Sequence, residues 1–62
     1  MKVKKLIKLL CASDYVCIMN KQGKIVYQDN AINAGSATTF HNLNALYIKP
    51  ENGMLIIFTD KE

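Results

Sequence analysis

Arginine and tryptophan are absent from these 62 residues, and Cys11, Cys17, His41 and Pro50 are the only residues of their kinds. The missing arginine matters first. All eight basic residues are lysine, whereas readers of phosphates and guanine edges favour the planar guanidinium fork. That argues against sequence-specific nucleic-acid binding. Two cysteines fall short of the roughly four to eight that a small secreted domain carries. No Cys-x-x-Cys pair occurs, and His41 lies 24 residues beyond Cys17, so a zinc site has no ligand set. The expectation is no metal and no cofactor, with both thiols acting as buried, small apolar side chains in a reducing cytoplasm. Long apolar runs are also missing. Lys8 breaks the N-terminal stretch before it reaches the length of a signal-peptide core, and no segment is long enough to cross a bilayer. A cytoplasmic protein without a membrane partner is expected.

What is present fits one small folded domain over residues 1–62. Half of the residues are hydrophobic and 21% are charged, a composition outside the disordered range. A chain this short buries only about 60% of the surface its unfolded form exposes. Such domains commonly draw on disulfides, a metal or self-association. The net charge is +3, with Lys2, Lys4, Lys5 and Lys8 concentrating it at one end.

Val3, Leu6, Ile7 and Leu10 recur at i, i+3, i+4, i+7, which predicts an amphipathic helix over 2–12 with the lysines pointing away from the apolar stripe. Tyr15–Met19 and Lys24–Gln28 are β-rich runs on either side of Asn20-Lys21-Gln22-Gly23. They predict a hairpin with Gly23 in the left-handed position of a type I turn with a bulge. Leu46–Lys49 and Met54–Thr59 flank Pro50-Glu51-Asn52-Gly53 and predict a second hairpin, with proline favoured at the second turn position and Asn52 or Gly53 able to take positive φ. The fold class is therefore α+β: an N-terminal helix on a four-stranded, largely antiparallel sheet made of two hairpins.

Strand alternation places Val16, Ile18, Val26, Leu46, Ile48, Leu55 and Ile57 on one sheet face. The other face receives Tyr15, Cys17, Met19, Ile25, Tyr27, Tyr47, Met54, Ile56 and Phe58. Both sets are apolar, and one short helix covers only one of them. A soluble monomer rarely leaves so much apolar surface open. Either the second set is an oligomer interface, most simply of a two-fold dimer packed sheet to sheet, or the 29–45 connector folds back over it.

That connector holds four of the six asparagines, the only histidine and no lysine. Seventeen residues is long for such a link, and long links commonly carry function or a short helix. One helical turn over Ala31–Ala34, ended by Gly35, is expected. Gly35-Ser36-Ala37-Thr38-Thr39 offers free backbone N–H groups and hydroxyls to an anion without matching a phosphate-loop pattern. Thr38, Thr39, Phe40, His41 and Asn42 are the candidate ligand contacts. Phe40 and His41 would stack on a base or ribose, and Lys21 and Lys24 would supply charge. Ser36, His41 and Asp29 include the types needed for a nucleophilic triad, but no nucleophile-elbow pattern surrounds Ser36. Asp14 and Asp29 flank the first hairpin with nothing else to pair them. A non-enzymatic protein is expected.

The helix Lys2–Leu10, the strand Gly23–Tyr27 and the hairpin Pro50–Ile57 together resemble short uncharacterised proteins encoded by phages and prophages of Gram-positive bacteria. Those chains open with Lys-Val-Lys-x-Leu-Ile-x-Leu-Leu and close on Pro-Glu-Asn-Gly-x-Leu-hydrophobic-Ile. The resemblance covers about half of the chain and implies a context of interference with host processes. Two functions follow as expectations. One is a homo-oligomeric counter-defence sponge for a phosphate-bearing, nucleotide-derived ligand. The other is an inhibitor or adaptor gripping a host protein by a sheet edge or the open apolar face.

Overall fold

The structure, a computed structural model, describes residues 1–37 and 40–62. The elements run α1 (Val3–Lys8), β1 (Tyr15–Met19), β2 (Ile25–Asn30), α2 (Ala31–Ser36), β3 (Ala45–Glu51) and β4 (Met54–Thr59). The sheet order is β2-β1-β4-β3. Each hairpin is antiparallel, and the two hairpins join through a parallel β1–β4 pair with Tyr15 opposite Met54 and Met19 opposite Phe58. The sheet is thus mixed, with its centre built from strands of different hairpins.

Local chemistry sets most boundaries. Helix α1 is half the length its periodicity suggests. The N–H groups of Leu9 and Leu10 turn back to Leu6 and Ile7, tightening the last turn as helix ends commonly do. The Asp14 carboxylate then accepts the Cys11 N–H at 2.8 Å and holds the following bend. In the first turn Gly23 takes φ +80°, its N–H bonds to the Asn20 carbonyl, and the Asn20 side chain accepts from the N–H groups of Gln22 and Lys24. The second turn has the expected positive φ but not the expected place for proline. Its centre is Asn52-Gly53, at φ 51° and 75°, the mirror-image turn that suits strand twist. Pro50 stays inside β3 opposite Leu55, tolerated because β3 is an edge strand.

Helix α2 also departs from the expected single turn: it passes through Gly35 to Ser36. Its first free N–H groups, from Ala31 and Ile32, donate to the carbonyls of Asp14 and Ala12. This ties its start to the loop before β1. The two helices lie side by side on one sheet face. Val3, Ile7, Ala34 and Phe40 pack there on Val16, Ile18 and Ile57 in a single core. The N-terminus joins the same side, with Lys2 bridged to Asn44 and the Val3 N–H bonded to the Leu43 carbonyl. Among the described residues, no buried side-chain polar atom lacks a partner, and the fully buried Thr59 hydroxyl donates to the Met19 carbonyl at 2.7 Å.

Two β-bulges correct the expected faces. Regular pairing beyond Met19–Ile25 would set Val26 opposite Ile18, but an extra residue in β2 brings Tyr27 there instead. Tyr27 therefore turns to the helical side, its ring 4.9 Å from that of Phe40. It leaves the set expected on the open face. A second irregularity between Ala45 and Tyr47 leaves Leu46, expected in the core, 56% exposed. A one-residue slip is enough to exchange faces.

Candidate functional site

Among its described residues, the connector does not cross the open face of the sheet. Ala34 and Phe40 belong to the core beneath the helices, so this segment adds to the layer that α1 begins. The opposite face keeps Tyr15, Cys17, Met19, Met54, Ile56 and Phe58 along β1 and β4, with Tyr47 beside Phe58 and Ile25 opposite Met19. The rings of Tyr47 and Phe58 stack at 4.4 Å and 14°, an aromatic pair held by direct cross-strand register. Tyr47 is 59% exposed. Cys17 is the exception on this face at 4% exposure. It is flanked in register by Gln28 and Ile56, and its thiol approaches the Met19 sulfur at 3.6 Å. Burial pushes the Cys17 thiol pKa up, so it is a less reactive sulfur than a free one. Cys11, expected to be buried, is exposed instead.

The candidate ligand contacts of the connector are placed unequally. Thr38 and Thr39 lie outside the described residues. Phe40 is 0% exposed and is the largest fully buried side chain, so its ring faces Tyr27 and the core rather than a ligand. That overturns its role as a stacking platform. His41 is half-buried, sets its ring edge-on to Phe40 at 5.2 Å, and has Nε2 3.1 Å from the Ala34 carbonyl. Asn42 is exposed, and its backbone carbonyl accepts from the Lys2 ammonium at 2.9 Å. Lys24 sits in the first turn, its N–H bonded to Asn20. Among these residues only Phe40 and His41 touch through their side chains among the described contacts.

No catalytic grouping forms from the other candidates. Asp29 accepts from the Asn33 side chain and the Asn30 N–H, and these bonds hold its carboxyl below the ordinary range. Among the described residues neither Ser36 nor His41 bonds to it. No three His, Cys, Asp or Glu side chains gather there around a possible metal position. No helix among them is long and apolar enough to cross a membrane.

Sequence reasoning missed one polar fixture. The Asn44 N–H and side-chain amide donate to the two Asp60 carboxylate oxygens at 3.0 and 2.9 Å, and the Asp60 N–H returns a bond to the Asn44 carbonyl. The clamp closes the start of β3 onto the end of β4. The Asn44 side chain and then its backbone N–H are the main causes that lower the Asp60 pKa. No short-range pattern announces such a pair across sixteen residues.

Comparison of the chain with protein-family models, curated proteins and solved structures gives no match.

Proposed function

We propose that this chain is a non-enzymatic binding domain that associates with a second copy, sheet to sheet, through the open face. One observation carries the reading: Tyr15, Met19, Ile25, Tyr47, Met54, Ile56 and Phe58 share a face that neither helix nor the described part of the connector covers. With extents of 28 × 24 × 17 Å, the largest face offers roughly 650 Å², so two such faces together bury on the order of 1,300 Å², at the low end of specific interfaces. Aromatic and methionine side chains at its centre match the composition of interface cores.

A nucleotide-derived ligand in the connector has less in its favour, because the ring that would stack on it lies in the core. Capture of an unlike protein by the β3 edge is the second reading. It draws on Leu46, Tyr47 and Ile48, three successive large apolar residues left exposed on an edge strand, which is a surface suited to strand addition. Light scattering over a concentration series separates the two. The first reading requires a mass approaching twice the 7.0 kDa chain and its return to one chain in Phe58→Lys. A monomer at millimolar concentration would sink it.

A further inference from the structure

The outward surface of the helical layer has a character of its own. At about 100° per residue with Val3 at the centre of the buried stripe, Lys4, Lys8, Lys5 and Leu9 fall at roughly 100°, 140°, 200° and 240°. Lys5, Lys8 and Leu9 therefore share the arc directed away from the sheet. Leu9 is 75% exposed, and so is 62% of Ile32 on α2. A groove of about 240 Å³ between the helices has Lys8 on one bank and Ile32 on the other, while Leu9 lies beside Lys5 on the outward arc of α1. Neither helix contains an acidic residue. Asp14 and Asp29, which flank the layer, already accept hydrogen bonds from Cys11 and from Asn30 and Asn33. Among the described residues, Lys4, Lys5 and Lys8 take part in no ion pair.

Isolated exposed leucines are ordinary on soluble proteins. A patch of lysines with projecting Leu and Ile and no acid between them is what an interfacial segment presents to lipid: cations at headgroup level and apolar tips at the acyl boundary. We propose that the helical layer binds membrane surfaces rich in anionic lipid. A nucleic-acid backbone would satisfy the lysines and leave Leu9 and Ile32 without a partner. The sheet-to-sheet dimer adds one consequence that rests on that earlier reading. It places the two helical layers on opposite outer sides, so a dimer would tether two membranes.

The test is cosedimentation of the whole chain with vesicles of phosphatidylcholine and phosphatidylglycerol (70:30), compared with phosphatidylcholine alone. At about fivefold in affinity per lysine near the surface, anionic vesicles should bind at least tenfold more tightly than neutral ones. K5E/K8E should lose that preference. L9Q/I32Q should also weaken binding several-fold while circular dichroism and the melting midpoint stay unchanged, both side chains being largely in solvent. Equal binding to neutral vesicles, no binding to either, undiminished binding by L9Q/I32Q, or tighter binding to an oligonucleotide than to vesicles would each overturn the proposal. Vesicle clustering is scored separately. Binding without clustering removes the sheet-to-sheet dimer and keeps the lipid face, whereas dimers in solution that ignore vesicles do the reverse.

Discussion

Phe40 fills the space between helices and sheet, packed on Tyr27 and enclosed by the core. Truncating such a ring commonly costs about 3–5 kcal/mol. Sixty-two residues have on the order of 3–9 kcal/mol in total at typical stability per residue. Phe40→Ala is expected to remove half or more of that stability, read as a urea transition at a much lower midpoint, while Phe40→Leu should fall between it and the parent chain. A ligand-stacking Phe40 would instead have left stability intact on truncation. Asp60 gives a second prediction at this scale. Its pKa is lowered in the fold, chiefly by the Asn44 side chain and then by the Asn44 N–H. A lowered carboxyl contributes stability above the ordinary aspartate range, near 4, and loses it as pH falls through the folded value. In Asn44→Ala the first cause goes and the second stays. The Asp60 titration followed by carboxyl NMR should rise yet stop short of an ordinary aspartate. No change would mean that the side-chain bond is not made in solution.

At the scale of elements, the glycines predict opposite signs. Gly53 stands at φ 75°, where a side chain costs about 1–2 kcal/mol, so Gly53→Ala should lower the melting midpoint. Gly35 lies within α2, and a Cβ there would sit 3.9 Å from the Ile7 side chain, an ordinary contact. Gly35→Ala should raise stability by about 0.5–1 kcal/mol through helix propensity and a smaller unfolded ensemble. Thermal melts of both variants check the pair, and a destabilised Gly35→Ala would mean that α2 ends before it. The same contrast explains what could be read from sequence. Both hairpins were legible because their turns are specified by neighbouring residues such as Asn20, Gly23, Asn52 and Gly53. The helix face of Val3 and Ile7 was legible from its spacing. Which side Tyr27 and Leu46 take was not, because a bulge is set by packing across strands and shifts no local pattern. The parallel β1–β4 junction and the burial of Phe40 depend on contacts far apart in the chain, so the connector read as a polar loop although its one aromatic closes the core.

For the molecule as a whole, the quantity of surface is ordinary and its character is not. A total of 4006 Å² is what a compact chain of this mass exposes, about 4,000 Å² by the usual scaling. The case for association therefore rests on where the apolar side chains lie. Three sides of the sheet are managed: the helices cover one face, and the edges are short strands interrupted by a bulge, with Pro50 and Lys49 on β3. Those are familiar guards against edge pairing. The open face has no charged side chain along β1 or β4; its charges stand at the β3 margin, where Lys49 and Glu51 lie opposite Ile56 and Met54 and pair at 3.2 Å. If the folded species is a dimer through this face, unfolding is coupled to dissociation and the melting midpoint depends on protein concentration. With an unfolding entropy of about 2.1 cal/mol/K per residue, each tenfold increase in concentration should raise the midpoint by about 5 °C. Phe58→Lys should remove that dependence by setting an ammonium where the Tyr47 ring stacks. It should leave the core intact, since Phe58 points away from Ile57 and Thr59. Calorimetry across two decades of concentration measures both, and a wild-type midpoint that stays fixed over that range would exclude this face as the site of assembly.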